Sequence, residues 1–202
     1  MINARLRRWV LIFCSAGLLP VFLLAEEWQV DWERPRLAKF ISRAPLEEFE
    51  GVTEAIDGYL YWEGDSLFAN NEFYFEVDLN TIDTGIGLRN RHMREKYLHT
   101  DRWPVASYRG QIDSVVQIDS LEVPVYRVHT RGTFHVHGVE RPLSVVATLV
   151  QVAPDVFQVT AAFQIELPDF NIEIPRIMFF KLSKVIRIKV QFHLKQVAKH
   201  YE

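Results

Sequence analysis

The feature that most constrains this chain is an alternation of apolar and polar side chains from Phe73 onward. Three runs show it clearly: 73–79, 157–167 and 186–194. In the second run, large or small apolar residues occupy every other position from Phe157 to Leu167, with mostly polar residues between them. Successive side chains of a β-strand point to opposite faces, so a period of two predicts half-buried strands.

Weaker runs of the same kind bring the number of predicted strands to about eight. They cover residues 56–62, 105–112, 123–134 and 143–152, with 28–31 as an extra candidate. The short turns between them make neighbouring strands antiparallel. Such a sheet has unpaired edges, and closure into a barrel removes them. We therefore predict an all-β fold with a closed antiparallel barrel.

One charged stretch interrupts the strand pattern and predicts a single short flanking helix over 89–98. Its apolar side chains are expected to face the core: Leu88, Met93, Tyr97 and Leu98. Its basic side chains, Arg89, Arg91, Arg94 and Lys96, either contact anionic headgroups or form a solvated face. If the barrel opens beside this helix, Arg91 and Arg94 are predicted to meet the polar head of a ligand.

The amino end carries the pattern of an export signal. Arg5, Arg7 and Arg8 precede an uncharged apolar run over 9–25 that Pro20 interrupts. We expect a signal peptide over 1–25, cleaved near Ala25, and a single domain over 26–202. Retention of the run as a membrane anchor is the alternative, although a spanning helix needs about 20 apolar residues.

Cleavage would leave an acidic chain without cysteine. It removes three arginines and Cys14, leaving 20 basic against 26 acidic residues, a formal charge of −6. Stability must then come from the core and the strand pairing rather than from disulfides. An acidic exported protein of this kind also argues against a nucleic-acid partner.

The polar residues predict neither a metal site nor a catalytic site. His135 and His137 lie two apart, with His129 nearby, but a zinc site needs three or four converging ligands, and no carboxylate or cysteine stands at a suitable spacing. We expect surface or turn histidines. No nucleophile-and-base pair and no G-x-S-x-G motif is present in the sequence, so no enzyme activity is predicted.

An ordered set of motifs then resembles the YceI-like family of polyisoprenoid-binding proteins. The set comprises 75–85 (FEVDLNTIDTG), 89–93 (RNRHM), 103–108 (WPVASY) and 132–143 (GTFHVHGVERPL), within a match over roughly Trp28 to Leu194. The resemblance implies a lipocalin-like eight-stranded barrel with a helix beside it, exported to the periplasm and holding a long isoprenoid. Tyr97, Leu98 and Tyr108 stand where the family prefers phenylalanine, which would alter a pocket wall.

The family offers no catalytic set to carry over, so the pocket residues are inferred from the alternation. They are Phe73, Phe75, Val77, Phe134, Val136, Phe157, Phe163 and Ile188 from strands, with Met93 and Tyr97 from the helix. Plain barrel packing is the alternative for each of them, since the interior of an eight-stranded barrel is either filled or holds one small ligand.

These inferences lead to a periplasmic carrier for a long-chain isoprenoid or similar amphiphilic lipid, such as a prenylated quinone. No other cofactor, no nucleic acid and no stable membrane span after cleavage are expected, and a homodimer is left open. One alternative is an envelope-interaction or stress-related module with a filled core. The other is a secreted hydrolase or metalloenzyme.

Overall fold

The structure is a computed structural model that describes residues 25–43, 48–63, 70–118, 123–177 and 180–197. The strands in these ranges are β1 (Ala25–Val30), β2 (Leu37–Arg43), β3 (Glu48–Thr53), β4 (Ile56–Glu63), β5 (Glu72–Asp78), β6 (Val105–Ile118), β7 (Val125–Val136), β8 (Val139–Ala153), β9 (Val156–Glu166), β10 (Arg176–Ile177), β11 (Phe180–Lys181) and β12 (Val185–Gln196). Helix α1 (Gly87–His92) continues into a π-helical segment, Met93–Leu98. No helix within the described residues is both long and apolar enough to span a membrane.

Eight strands close into an antiparallel barrel. Their order around the ring is β1, β4, β5, β6, β7, β8, β9 and β12, and β12 returns to pair with β1. That closing contact joins Trp28 to Gln196 and Val30 to Leu194. The predicted closed eight-stranded antiparallel barrel with one short helix is therefore confirmed.

One long hairpin occupies the first two positions in the ring. Each of its two sides is interrupted once, between β1 and β2 on one side and between β3 and β4 on the other. β1 pairs with the carboxyl end of β12, and β2 takes over the same edge from Leu37 to Ser42. Across the hairpin, β3 pairs with β2 while β4 pairs with β1. The buried Asp31 side chain holds the first break, because it accepts a hydrogen bond from the Glu33 backbone N–H and lies 3.2 Å from Arg34.

The sequence pattern did not predict β2 and β3. Their inward positions include Ala38, Ser42, Gly51 and Thr53, all of which lie on the barrel interior. Small and polar residues at inward positions weaken the apolar period on which strand prediction depends. The small and polar residues that prevented prediction of these two strands therefore also line the cavity.

Aromatic side chains pack together at one end of the barrel. The rings of Trp28 and Trp62 stack with centroids 5.6 Å apart, and Phe157 lies 4.6 Å from Trp28. Tyr126 meets Phe157 edge-on at 6.2 Å. Trp28, Trp62 and Phe157 are almost completely buried, so this end forms a packed floor.

The helix lies at the opposite end. Met93, Tyr97 and Leu98 pack against the apolar cluster around Phe134 and Val136, as predicted. Leu88 does not: it is 55% exposed, which corrects the expectation that it faces the core. The π-helical segment shifts the residues after His92 relative to a regular 3.6-residue period, so the predicted helical face does not hold over its whole length.

A two-residue turn joins β7 to β8 beside the helix. His137 and Gly138 both have positive φ values, 54° and 72°, as the tightest hairpin turns require. A Cβ atom built on Gly138 would lie 2.5 Å from the Trp103 indole nitrogen. Glycine at this position therefore serves both the backbone conformation and the packing of Trp103.

Three glycine-to-alanine variants separate these two effects. Gly138→Ala should lower the free energy of unfolding by about 2 kcal/mol or more, because it adds a steric clash to an unfavourable φ. Gly85→Ala has the positive φ, 80°, but open space around the Cβ, so about 1 kcal/mol is expected. Urea unfolding of each variant gives the values.

Gly87→Ala is the matched control. Gly87 has open space and no positive φ, and it lies at the start of α1, so alanine should be neutral or slightly stabilising. Equal losses in all three variants would contradict the assignment of strain to Gly138 and Gly85.

Candidate functional site

The barrel encloses a cavity of about 530 Å³. Its lining extends from Leu60 and Leu194, above the aromatic floor, to Ile86 and Leu88 beside the helix. Small-molecule sites in proteins commonly have volumes of roughly 300–1,000 Å³. The interior therefore has the size of a ligand site, and its mouth lies at the helical end.

Nine of the ten predicted pocket residues line this cavity. They are Phe73, Phe75, Val77, Met93, Tyr97, Phe134, Val136, Phe163 and Ile188. Phe157 does not line it, because its ring packs between Trp28 and Tyr126 in the floor. Alternation placed Phe157 on the inner face, but it could not show that the floor fills this level of the barrel.

A belt of small side chains keeps one half of the wall open. The strand registers place Ala147 beside Ala161, Ala161 beside Val190, Val190 beside Ala38, and Ala38 beside Thr53. All five residues line the cavity. Across β8, β9, β12, β2 and β3 the wall thus carries no side chain larger than valine at this level.

The few polar groups in the wall are mostly bonded to the barrel itself. The Tyr108 hydroxyl donates to the Leu143 carbonyl at 3.0 Å and lies 2.9 Å from Thr130 Oγ1. The Thr130 hydroxyl donates to the Val145 carbonyl at 2.9 Å. Burial raises the pKa of Tyr108 above its ordinary value of 10.0. Because these hydroxyls are already hydrogen-bonded within the barrel wall, the interior remains apolar in character.

Ser42 differs from the other polar residues of the wall. Its hydroxyl is buried and has no hydrogen-bond partner among the residues that the structure describes. Because the atom is covered by its neighbours, a ligand in the cavity has no direct access to it.

Arg89 is the arginine that lies at the mouth. Its guanidinium donates from Nε to Thr84 Oγ1 at 2.9 Å and from Nη2 to the Thr84 carbonyl at 2.7 Å. The same group lies 4.6 Å from the centre of the Phe49 ring. Arg89 and His92 both line the cavity beside the helix, so a guanidinium and an imidazole lie at this side of its entrance.

The two arginines singled out from the sequence lie farther out. Arg91 is exposed and outside the cavity lining, and Arg94 donates to the Asn80 carbonyl at 3.3 Å. The structure brings neither into the wall of the cavity. Arg89 was part of the predicted basic cluster, but only the position of the helix on the barrel distinguishes it from the others.

The loop before α1 is held by side chains. Asp83 accepts hydrogen bonds from the Asn90 amide at 2.6 Å and from the Gly85 N–H at 2.8 Å, and these bonds lower the pKa of its carboxyl. The Asn90 carbonyl oxygen accepts from the Thr84 N–H and hydroxyl. This network fixes the loop against the helix at one side of the mouth.

Two histidines join the other side of the helix to the barrel. His99 Nδ1 lies 2.8 Å from His137 Nε2, and His137 Nδ1 lies 3.0 Å from the Phe170 carbonyl. Since a carbonyl only accepts, His137 donates from Nδ1, and a neutral His137 therefore accepts at Nε2 from His99. His99 is therefore bonded to the barrel, and His137 is a turn residue whose side chain is buried.

No three or more His, Cys, Asp or Glu side chains converge to hold a metal ion within the described ranges. His129 and His135 lie on β7, whereas His137 lies in the turn beyond it and points toward Phe170. The three histidines considered from the sequence are thus not brought together.

The comparisons with known proteins agree with this architecture. The model of the YceI-like domain matches residues 28–194. The chain belongs to the YceI-like family. No curated protein matches it.

Several solved structures are similar in fold to this YceI-like protein, among them the following two. One is a polyisoprenoid-binding domain from Saccharophagus degradans implicated in plant cell wall breakdown, with 15% identity, a TM-score of 0.63 and coverage of 84% of this chain and 98% of that chain. The other is BcnA from Burkholderia cenocepacia, with 15% identity, a TM-score of 0.64 and coverage of 81% and 98%. At this level of identity the likeness establishes the fold alone.

The Tyr108 hydroxyl makes a pH-dependent contribution to stability that a phenylalanine variant exposes. At pH 7, Tyr108→Phe should lower the free energy of unfolding by about 1 kcal/mol through the lost hydrogen bonds. Above pH 10 the unfolded tyrosine ionises while the buried one, with its raised pKa, stays protonated, so the wild type loses stability as the pH rises. The variant lacks this loss, so the difference in the free energy of unfolding between the wild type and the variant should become smaller.

Urea unfolding at pH 7 and above pH 10 measures both values. A gap that stays constant or widens with pH would contradict the burial of this phenol in the barrel wall.

Proposed function

We propose that this YceI-like protein is a binding protein that carries a long-chain isoprenoid or similar amphiphilic lipid, such as a prenylated quinone. The observation that carries the proposal is the apolar cavity of about 530 Å³. The aromatic floor closes the cavity at one end, and its lining extends to the helix at the other end. A cavity of this shape suits a molecule with one apolar tail and one polar end. The polyisoprenoid-binding neighbour in fold supports the same ligand class.

Burial of the tail supplies the affinity in this proposal. Each buried CH₂ group contributes about 0.8 kcal/mol, so a long prenyl chain needs no polar anchor deep in the barrel. The Tyr108 and Thr130 hydroxyls already bond to strand carbonyls, so they do not demand a polar partner from the ligand. The polar end of the lipid would then lie at the mouth, beside Arg89 and His92, with the predicted contacts to Arg91 and Arg94 farther out.

Binding without chemistry is part of the proposal, and it needs no further cofactor. Among the described residues, the side chains that line the interior are mainly aliphatic and aromatic, without a nucleophile placed beside a base. The hollow interior likewise argues against the module with a filled core. The arrangement gives no support to the hydrolase or metalloenzyme alternative.

Export to the periplasm completes the proposal. The signal pattern over 1–25 supports it, with a mature domain over 26–202. Residues 1–24 lie outside the described residues. A carboxyl-terminal tag and osmotic-shock fractionation give the test: the tagged protein should appear in the periplasmic fraction with the mass of a chain beginning near Glu26. Full-length protein that stays with the cytoplasm or the membrane would contradict cleavage.

Filling the cavity should weaken ligand binding. Ala161→Trp places a large ring in the small-residue belt, so binding of a prenylated quinone should weaken at least tenfold. Because the ring enters open space, the usual cost of overpacking, about 1–3 kcal/mol, should not appear in the free energy of unfolding. Native mass spectrometry with solvent extraction measures the bound lipid, and urea unfolding measures the stability.

Ala162→Trp is the matched control, since Ala162 is the next residue on β9 and is exposed on the outer face. It should bind the lipid like the wild type. Protein from its own host that carries no lipid and takes up no prenylated quinone would overturn the proposal, as would equal binding by both tryptophan variants.

A further inference from the structure

Two large aliphatic side chains are exposed at the mouth of the cavity. Ile86 is 52% exposed and Leu88 is 55% exposed, and both also line the entrance. They lie directly before and within the first turn of α1, whose residues include none that is buried. Exposed apolar side chains that border a cavity mouth favour contact with another apolar phase.

The same segment is basic in a molecule that is acidic overall. Residues 86–98 carry Arg89, Arg91, Arg94 and Lys96 against the single acid Glu95, whereas the whole chain has a formal charge of −3. Arg91 and Lys96 are exposed and have no ion-pair partner within the part of the chain that the structure describes. Elsewhere on the barrel, exposed basic side chains often pair with carboxylates, as Arg109 does with Glu140 and Arg131 with Asp113.

We propose that this segment, residues 86–98, which we call the rim, docks the protein on an anionic lipid bilayer. Ile86 and Leu88 would enter the interfacial region, and Arg91 and Lys96 would lie among the negative headgroups. The inference rests on the proposed function, because docking through the rim turns the cavity mouth toward the bilayer. A lipid tail would then pass between membrane and cavity without crossing water.

Charge favours a bilayer over a second copy of the chain as the occupant of this surface. A two-fold dimer through the rim would place the same basic residues of both copies together, and like charges repel. An anionic membrane instead complements them. The apolar pair and the basic side chains lie on the same short segment, as interfacial membrane contacts require.

Flotation with phospholipid vesicles tests the docking. The wild-type protein should float with vesicles that contain about one-third anionic phosphatidylglycerol. The fraction of protein that floats with neutral phosphatidylcholine vesicles should be at least tenfold smaller. The protein should dissociate from the anionic vesicles as the salt concentration is raised, because the Debye length shortens. Ile86→Ser/Leu88→Ser and Arg91→Glu/Lys96→Glu should each lower binding to the anionic vesicles at least tenfold. Circular dichroism and urea unfolding check that each variant folds.

Matched controls carry the same changes on the outer barrel wall. Val116 and Val146 are 52% and 48% exposed, so Val116→Ser/Val146→Ser removes a similar exposed apolar surface. Arg127→Glu/Lys195→Glu changes the net charge by the same amount as the rim reversal. Both control variants should float like the wild type.

A second measurement determines which side of the protein faces the bilayer. In a Cys14→Ser background, an environment-sensitive fluorophore on Leu88→Cys should shift to shorter wavelength when anionic vesicles are added, whereas the same label on Val146→Cys should not. Equal shifts at both positions would overturn docking through the rim.

The other outcomes separate the two proposals. Absence of flotation, equal flotation with neutral vesicles, equal losses in rim and control variants, or a dimer formed through the rim would each overturn the docking proposal. Lipid uptake by the wild type from detergent solution is measured separately. Uptake without flotation would leave the carrier function standing, and flotation without uptake would remove the carrier function and leave the membrane contact.

Discussion

The enclosed interior depends on the pairing that closes the sheet between β1 and β12. Among the described residues three pairs form it, from Trp28 with Gln196 to Val30 with Leu194. Backbone bonds from Asp31 to His193 and from Val197 to Glu27 extend the contact at either end. Trp28 also belongs to the aromatic floor. The same short segment therefore closes the ring and seals one end of the cavity, so loss of this pairing would admit water to the whole interior.

A closed barrel still has to stay hollow, and the belt from Ala147 to Thr53 provides the space. An unfilled apolar cavity costs stability, about 24 cal/mol for each Å³ left by a truncated side chain in one well-studied lysozyme. The ligand-free protein thus forgoes packing that larger side chains would supply. A ligand that fills the belt restores those contacts and stabilises the folded state in proportion to its binding. Stability and ligand affinity are therefore linked through the same small residues.

The sequence predicted the strands whose inward positions carry large apolar residues, such as β5, β9 and β12, and it predicted nine of the cavity-lining side chains. It did not predict β2 and β3, because Ser42, Gly51 and Thr53 weaken the alternation there. The residues that hide these strands from a periodicity argument thus belong to the wall of the cavity. Local pattern likewise could not distinguish Arg89 from Arg91, since the difference comes from where the helix lies on the barrel.

The two ends of the barrel differ in what opening them would cost. At the floor, separating Trp28, Trp62 and Phe157 would expose three large buried rings, and the loss of buried aromatic area would be large. At the mouth, neither α1 nor the π-helical segment contains a buried residue. The partly buried Met93, Tyr97 and Leu98 and the hydrogen bonds of Asn90 and His99 hold the segment. Separating partly buried side chains and breaking a few such bonds, each worth about 1 kcal/mol net, costs less than exposing the three fully packed rings of the floor. Entry and exit of a ligand should therefore proceed past the helix, at the end of the barrel where Ile86 and Leu88 face outward.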